Sequence, residues 1–205
     1  MDRKIKFNYE KYLERVNFYR TFGYDLEKER NFIIDKSAPV SGRILEIGTG
    51  KGHFAIALAK RGFNFISIDI SASEQRIAEM NLRYFGLENR VSFKVMDARD
   101  MDLPDASFDM IFSVNVFHHL ESPLEVLQEV TRLLRLGGKV VLSDFNAKGM
   151  RLINMCHSYE GRRHDVFKQG LKKSVSYFTR RNFSVREFDS EAQHIVIAKN
   201  RTRKK

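Results

Sequence analysis

The sequence predicts an α/β protein built on a doubly wound, mostly parallel sheet with an antiparallel edge strand. Between residues 43 and 144, short β-prone segments alternate with helical segments of apolar periodicity, as in successive β–α–β units. The first strand runs into a glycine loop that opens a helix, which is where such sheets bind ligands. Two β-prone segments near the C-terminus predict a closing pair added antiparallel to the edge.

Each predicted element has a local signal. The strands are short and β-prone, at about 43–47, 63–70, 91–96, 108–114, 139–144, 183–188 and 194–198. The helices carry apolar periodicity, at about 9–36, 52–61, 71–84, 122–136, 147–157 and 163–181. Ser71 or Ser73 can cap the third helix, and Gly86 ends it. In the fourth helix, Pro123 occupies the first position and Gly137 marks the stop.

The composition suits one globular domain. The chain has 205 residues, of which 42% are hydrophobic, and this is enough apolar material for a core. Its single cysteine, Cys156, excludes an internal disulfide framework and favours a reducing cytoplasm. We expect no membrane association, because no apolar run approaches the length of a span and the first residues lack a signal-peptide core.

The charge is concentrated near the C-terminus. The formal net charge is +10, and residues 162–205 hold 13 Lys and Arg against 4 Asp and Glu. Residues 1–161 are nearly neutral, with 23 basic against 22 acidic side chains. A uniformly basic nucleic-acid binder would not show this distribution. We interpret the charge as a solubilising segment with a frayed basic tail at 199–205, and an anion-binding patch is the alternative.

The loop from Gly48 to Gly52 is the most informative segment of the chain. Its alternating glycines let the backbone turn sharply and let a ligand approach closely. Two common glycine-loop motifs fail on spacing. A P-loop needs a glycine where Leu45 stands, and the dinucleotide fingerprint needs a third glycine where His53 stands.

The remaining pattern, Glu46-x-Gly48-x-Gly50-x-Gly52, resembles motif I of class I S-adenosylmethionine-dependent methyltransferases. Residues 108–120 are similar to the fourth-strand segment of that family, and residues 133–138 to the turn before its fifth strand. The likeness covers about residues 42–144 and points to the small, single-domain, type 11-like members. It implies a Rossmann-like fold, S-adenosyl-L-methionine as the cofactor, S-adenosyl-L-homocysteine as the product and methyl transfer as the reaction.

The resemblance also implies the cofactor contacts. Asp69 ends the second strand, where a carboxylate can accept hydrogen bonds from ribose hydroxyls; a helix cap or a turn is the alternative. Asp97 stands where the family binds the adenine amino group, and an ordinary Asx turn is the alternative. The full implied set is Glu46, Gly48, Thr49, Gly50, Gly52, Asp69, Ile70, Asp97, Ala98 and Asn115.

Two adjacent histidines follow the fourth strand, where the family places the methyl group and the acceptor. His118 is the candidate general base, because an imidazole can take a proton from an acceptor near neutral pH. Adjacent histidines do not face a pocket equally, so one of the pair is interpreted as structural. A metal site made from these histidines with Cys156, His157 and His164 lacks any zinc-like spacing, so we predict no metal.

The regions outside the resemblance are expected to select the acceptor. Residues 1–40 are interpreted as a helical lid, 41–145 as the cofactor-binding core and 146–198 as helices and closing strands, all in one methyltransferase domain. Candidate acceptor contacts are aromatic, titratable or basic: Tyr19, Tyr24, His119, His157, Tyr159, Arg162 and Arg163. Packing of the two N-terminal tyrosines, and an exposed loop at 156–164, are the alternatives.

We interpret the acceptor as a small molecule. Asn115 lacks the two prolines that follow this position in enzymes that methylate the amino groups of bases, and Cys156 does not follow a proline as in base-C5 enzymes. No separate RNA-binding module is recognisable. The alternatives are RNA docked on the basic segment, a non-catalytic S-adenosylmethionine-binding protein, and aminopropyl transfer. The oligomeric state is open.

Overall fold

A computed structural model describes residues 2–161 and 171–201. The strands are β1 (Ile44–Ile47), β2 (Phe65–Asp69), β3 (Val91–Val95), β4 (Phe108–Val114), β5 (Leu134–Phe145), β6 (Ser184–Asp189) and β7 (Gln193–Lys199). The helices are α1 (Arg3–Thr21), α2 (Leu26–Lys36), α3 (His53–Lys60), α4 (Ala72–Tyr84), α5 (Pro123–Leu133), α6 (Ala147–Tyr159) and α7 (Lys172–Arg180).

The strands form one mixed sheet in the order β3-β2-β1-β4-β5-β7-β6. The neighbours from β3 to β5 pair in parallel, and β7 runs antiparallel to both β5 and β6. The strand order reverses between β1 and β4, which pair from Ile44 opposite Met110 to Ile47 opposite Ser113. The predicted doubly wound sheet with its antiparallel addition is confirmed. Its reversal point places a crevice at the carboxyl ends of β1 and β4.

Apolar layers cover both faces of the sheet. On one face, Ile111 of β4 belongs to the same buried cluster as Val130 of α5 and Phe178 of α7. On the other face, Phe112 of β4 belongs to a cluster with Leu58 of α3. Burying a side chain of this size contributes about 1.5–3 kcal/mol. The two layers therefore hold the strand ends that form the crevice in fixed positions.

The N-terminal helical region consists of two helices. Gly23 has φ +86°, a left-handed value that glycine adopts without strain, and this residue breaks the chain after α1. Asp25 then caps α2, because its side chain accepts a hydrogen bond from Lys28 N at 3.0 Å. The Tyr9 ring of α1 stacks on the Tyr84 ring of α4 with centroids 3.5 Å apart. The predicted lid is thus anchored along α4.

The helix before β5 ends earlier than predicted. It stops at Leu133, because Leu134 already pairs with Phe108 on β4. The ladder resumes with Met110 opposite Lys139, so the residues between them loop out of the sheet. A long-range strand pairing overrides the local helical pattern here. The prediction that this helix reaches residue 136 is therefore wrong.

The C-terminal elements follow the predicted order. The predicted helix at 163–181 is observed from Lys172 to Arg180, and residues 163–170 lie outside the described part of the chain. The closing strands β6 and β7 pair antiparallel, from Ser184 opposite Lys199 to Asp189 opposite His194. Among the described residues, no helix is both long and apolar enough to cross a membrane.

Candidate functional site

An open cleft of about 670 Å³ lies at the carboxyl ends of β1 to β4. Its volume falls in the range of small-molecule binding sites. Ile47, Ile68 and Met96 contribute apolar walls. Residues that were predicted from the sequence and that line the cleft are Gly48, Gly50, Asp69, Ile70, Asp97, Ala98, Asn115 and His119.

The glycine loop between β1 and α3 forms one wall of the cleft. Gly48 has φ +87°, and a Cβ on it would lie 2.2 Å from Val116 Cγ2, so the ends of β1 and β4 meet only because this side chain is missing. Gly50 has φ +47°, and a Cβ on it would meet nothing within 4 Å. Gly50 therefore faces open space, where a bare backbone lets a ligand approach closely.

Asp69 ties the loop to the end of β2. Its Oδ2 accepts a hydrogen bond from Gly50 N at 2.7 Å, and its Oδ1 accepts one from Ser71 N at 2.9 Å. The cap of α4 is Ser71, whose Oγ accepts from Glu74 N at 3.2 Å. A carboxylate has about four lone-pair sites, so Asp69 keeps acceptor capacity toward the cleft.

Asp97 is engaged by Arg99 at the rim of the cleft. Asp97 Oδ1 accepts from Arg99 N at 2.9 Å, which is the Asx turn, and Asp97 Oδ2 accepts from Arg99 Nη2 at 2.6 Å. The hydrogen bonds from Arg99 hold the pKa of the Asp97 carboxyl below its usual range. Asp97 is thus an ionised acceptor whose charge is partly countered by its neighbour.

Asn115, directly after β4, has an unusual backbone and an unsatisfied side chain. Its φ of +58° lies in the left-handed region, which asparagine tolerates better than most residues. Its backbone N donates to Ser143 O at 2.8 Å. Within the described residues, its buried Oδ1 accepts no hydrogen bond. Because a buried acceptor without a donor is costly, a ligand that offers an N–H or O–H fits this position.

Glu46 and Thr49, which were both predicted as cofactor contacts, lie behind the glycine loop. Both are buried, and neither lines the cleft. Glu46 Oε2 accepts from Ser67 Oγ at 2.6 Å, and Thr49 Oγ1 lies 2.6 Å from the same hydroxyl. Burial raises the pKa of Glu46 to about 8, so its carboxyl is largely protonated at neutral pH. These two side chains hold the loop on β2.

Gly52 also departs from the predicted set, because it permits helix packing. It has φ +84° at the start of α3, and a Cβ on it would lie 2.9 Å from Ala78 Cβ on α4. The glycine therefore allows α3 and α4 to approach each other. It does not line the cleft.

Sequence reasoning missed Gln75, which joins α4 to the loop. Its buried Nε2 donates to Thr49 Oγ1 at 3.2 Å and to Lys94 O at 2.9 Å. The signal was present, because Gln75, Ala78 and Leu82 are spaced by three and four residues and share the buried face of α4. A glutamine in line with core residues indicates a buried hydrogen-bonding role.

His118 is buried and paired, while its neighbour faces the cleft. His118 Nδ1 lies 2.5 Å from Asp144 Oδ1, and His118 N donates to Asp144 Oδ2 at 2.8 Å. His118 is 4% exposed and does not line the cleft, whereas the exposed His119 does. The structure therefore favours His119 over the predicted His118 as the histidine that meets an acceptor. Among the described residues, no three His, Cys, Asp or Glu side chains surround a common metal position.

The two N-terminal tyrosines pack away from the cleft. Tyr24 is 1% exposed, and its ring lies 5.8 Å from the ring of Phe145. Tyr19 meets Tyr24 edge-on at the same centroid distance. Neither tyrosine lines the cleft, so the packing alternative describes them.

The other predicted acceptor contacts belong to α6 and the chain after it. Tyr159 is 78% exposed, and its ring contacts the rings of Phe18 in α1 and of Phe22 at the end of that helix. His157 lies on the last turn of α6, and neither residue lines the cleft. Arg162 and Arg163 lie outside the described residues.

Comparisons with known proteins identify similarity to methyltransferases. A family model described as a methyltransferase domain matches residues 45–142. The chain is 35% identical over 105 residues to the 27-O-demethylrifamycin SV methyltransferase of Amycolatopsis mediterranei, covering 50% of this chain and 38% of that protein. It is 28% identical over 156 residues to a demethylmenaquinone methyltransferase of Clavibacter sepedonicus, covering 76% and 60%. The matches thus span less than two thirds of the length of these curated relatives.

The fold also matches a solved structure. A SAM-dependent methyltransferase from Aquifex aeolicus aligns with 83% of this chain and 89% of its own length, with a TM-score of 0.64 and 20% identity. At this level of identity the likeness concerns the fold. It supports the overall fold described above.

Proposed function

We propose that the chain is a class I S-adenosylmethionine-dependent methyltransferase and that it transfers a methyl group from S-adenosyl-L-methionine to a small-molecule acceptor. The match of a methyltransferase-domain model to residues 45–142 supports this proposal. One observation carries this proposal. The bare backbone of Gly50, the carboxylate of Asp69 and the orphaned amide oxygen of Asn115 line the same cleft. S-adenosyl-L-homocysteine is the expected product.

The residues of the cleft fit an adenosine-containing cofactor. Such a ligand brings hydrogen-bond donors, namely ribose hydroxyls, an adenine amino group and an ammonium group. The cleft presents acceptors in return, on Asp69, Asp97 and Asn115. Ile70 and Met96 also line it and supply apolar surface suited to a planar ring. The match between ligand donors and protein acceptors supports the assignment of this cofactor.

The protein residues mainly position and shield the reacting groups. When bound, S-adenosyl-L-methionine supplies an electrophilic methyl group on a positively charged sulfur. The network of Glu46, Ser67 and Thr49 fixes the glycine loop, so the wall of the site is formed in advance. If an acceptor must lose a proton, His119 is the side chain in the cleft that can take it.

Two observations support a small acceptor. The relatives described above are named for a rifamycin and for demethylmenaquinone, neither of which is a macromolecule. The charged residues that line the cleft are four acids and one base: Asp69, Glu74, Asp97, Glu121 and Arg99. A rim with this excess of negative charge disfavours a polyanion such as RNA.

Calorimetric titration with S-adenosyl-L-homocysteine tests the proposal. We expect the wild-type protein to bind, and we expect Asp69→Ala to weaken binding by about 1.5–3 kcal/mol, the contribution of hydrogen bonds to a charged group. Asp102→Ala removes an exposed carboxylate outside the cleft and is the matched control. Its affinity should equal that of the wild type.

Two results would overturn the proposal. The first is a wild-type protein that binds no adenosyl ligand. The second is a cofactor-binding protein that forms no S-adenosyl-L-homocysteine when incubated with S-adenosyl-L-methionine and a broad panel of phenols, quinols, amines and carboxylic acids, as read by mass spectrometry. This second result would favour a non-catalytic binding protein of the same fold.

A further inference from the structure

The strand β3 lies at one edge of the sheet. Among the described residues its only strand neighbour is β2, so its outer side pairs with no other strand there. Val95 is 58% exposed, and Ser92 and Lys94 are exposed as well. None of these three residues lines the cleft. An exposed edge with apolar side chains is a template for another strand, so β3 is a candidate interaction surface.

The backbone groups of β3 point alternately toward β2 and away from it. Just after the strand, Met96 N donates to Asp69 O on β2 at 2.9 Å. By this alternation the backbone groups of Lys94 and Ser92 also face β2. The residues whose N–H and C=O groups face outward are therefore Val91, Phe93 and Val95.

Most of the outward groups lack a partner within the described part of the chain. The N–H groups of Phe93 and Val95 donate to no acceptor there, and the outward carbonyl groups accept from no donor. Val91 is different, because its N donates to Glu88 O in the turn before the strand. The other outward groups remain for solvent or for another chain.

A second copy of the same strand can pair with these groups. In an antiparallel pair centred on Phe93, Phe93 N donates to Phe93 O of the second copy, and Val95 N donates to Val91 O of the second copy. The two-fold axis repeats each of these bonds in the opposite direction. The same register places the Phe93 side chains beside each other and Val91 beside Val95, which are favourable apolar cross-strand pairs.

The charges of β3 favour the same register. In the pair centred on Phe93, Lys94 lies opposite the neutral Ser92 of the second copy. A pair centred on Lys94 would place the two Lys94 side chains opposite each other, and a pair centred on Ser92 would place Lys94 opposite Arg90. Like charges in these positions are destabilising. Of these three registers, the one that uses the whole strand is also the one without opposed like charges.

The other edge strand of the sheet, β6, is not self-complementary in this way. Arg186 and Glu187 lie at its middle, and both are exposed. An antiparallel pair centred on either residue would place two equal charges opposite each other. The charges of β6 therefore oppose pairing with itself, whereas those of β3 do not.

We propose that β3 is a dimerisation edge, at which two copies of this chain join their sheets antiparallel about a two-fold axis at Phe93. The strand residues lie outside the lining of the cleft, so the proposal does not depend on the methyl-transfer reaction. A pair of five-residue strands is small beside the about 1,200–2,000 Å² that stable complexes bury. The dimer is therefore expected to be weak and to dissociate on dilution.

Sedimentation velocity of the full chain from about 10 to 500 µM tests the association. We expect the wild type to shift from monomer toward dimer over this range. Val95→Pro removes an outward N–H and keeps the ladder to β2, and Val95→Lys adds a charge to the edge, so each should weaken the dimer at least tenfold. Leu136→Lys changes a similarly exposed apolar residue on β5 and should associate like the wild type. The Tm of each variant reports whether its fold is retained.

Engineered cysteines test the register. In the proposed pair, Ser92 and Lys94 of the second copy are directly opposite in a non-hydrogen-bonded position, where Cα atoms are about 4.5 Å apart and within disulfide reach. Under mild oxidation, a mixture of the Ser92→Cys and Lys94→Cys variants should form at least tenfold more disulfide dimer than either variant alone. The native Cys156 is buried and should not contribute. Non-reducing electrophoresis and mass spectrometry identify the linked residues.

Three results would contradict the proposal. The first is a wild type that stays monomeric up to about 500 µM. The second is a dimer that neither Val95→Pro nor Val95→Lys weakens, which would place the interface elsewhere. The third is a pair of single-cysteine variants that cross-link as readily alone as in the mixture, which would exclude the register centred on Phe93.

Discussion

Glu46 shows how burial sets the chemistry of a single residue. Its Oε2 accepts from Ser67 Oγ, while its buried Oε1 has no hydrogen-bond partner among the described residues. Desolvation dominates and raises the pKa of Glu46 to about 8, against an ordinary 4.5. The residue that opens the glycine motif is thus a neutral hydrogen-bonding group inside the protein, and its titration is coupled to folding.

We predict that Glu46 makes the protein less stable as the pH rises. Between about pH 4.5 and 8 the folded state holds a proton that the unfolded state has lost, so stability falls by up to about 1.4 kcal/mol per pH unit. Glu46→Gln cannot titrate, and its free energy of unfolding should lack this decline. Urea unfolding at pH 5, 6, 7 and 8 measures the difference between the two proteins.

The exposed Glu79→Gln serves as the control for this pH series. Glu79 pairs with Arg83 on the surface of α4, so its replacement should leave the pH dependence of the wild type intact. Parallel stability curves for the wild type and Glu46→Gln would contradict an elevated pKa of Glu46.

The two histidines after β4 should have different roles. His118 is held by Asp144 through both its backbone N and its ring, whereas His119 is exposed and lines the cleft. We predict that His118→Asn lowers the Tm and leaves the pH dependence of turnover unchanged. For an acceptor that must lose a proton, His119→Asn should remove the fall in turnover at acid pH. An acid limb that disappears in His118→Asn alone would restore His118 as the base.

At the scale of whole elements, α1 is attached to the helices rather than to the cleft. Asn8 Nδ2 donates to Asn81 Oδ1 on α4 at 2.8 Å, and Arg15 forms an ion pair with Glu160 at the end of α6. No residue of α1 lines the cleft. In this structure α1 therefore clamps α4 and α6, and the lid predicted from the sequence acts on the cleft only through them.

We predict that removing residues 1–22 leaves cofactor affinity nearly intact. The cleft keeps all its lining residues, so calorimetry should show S-adenosyl-L-homocysteine affinity within about twofold of the full chain, under 0.5 kcal/mol. The Tm should fall, because the rings of Tyr9 and Tyr12 leave Tyr84 and His53 uncovered. A loss of affinity beyond tenfold would show that α1 does close over the cofactor.

The sequence predicted those elements whose signals are local. The cap at Ser71 depends on a side chain three residues from its partner, and the succession of strands along the chain follows from short β-prone segments. The end of α5 depends instead on Leu134 pairing with Phe108, a contact that no local window contains. Helical propensity at residues 134–136 is real but weaker than a strand ladder and a buried core.

In the candidate site, too, the sequence predicted the features that depend on local signals and missed those that depend on long-range contacts. The glycine spacing predicts a sharp turn at a strand end, and Gly48 and Gly50 occupy it as expected. A carboxylate at the end of a strand looks the same in sequence whether it faces a ligand or the interior, so the different environments of Asp69 and Glu46 could not be foreseen. The sequence likewise does not show that Arg30 is buried. Its burial results from the packing of α1 and α3 around α2.

At the scale of the whole molecule, the charges that line the cleft and the charges of α7 differ in sign. The charged residues that line the cleft are mostly acidic. Within the described residues, α7 carries the basic residues Lys172, Lys173 and Arg180, and Arg181 follows it directly. This helix packs against α5, β6 and β7. A nucleic acid drawn to the basic side chains of α7 gains no electrostatic attraction from the cleft, because the excess of carboxylates there repels phosphates.

We therefore predict that any RNA binding by this protein is electrostatic and unrelated to methyl transfer. Affinity for a single-stranded 20-mer should fall steeply as salt rises from 50 to 200 mM, because phosphate contacts release counterions. The variant with Lys172, Lys173 and Arg180 all changed to Gln should lose that binding, while its S-adenosyl-L-homocysteine affinity and its turnover of a small acceptor stay at wild-type levels. Arg181 is left in place, because its guanidinium covers the Tyr177 ring at 3.8 Å. Filter binding and a methyl-transfer assay with labelled cofactor measure both properties. Methyl groups incorporated into RNA by the wild type, and lost in the variant, would instead make α7 a docking surface for the acceptor.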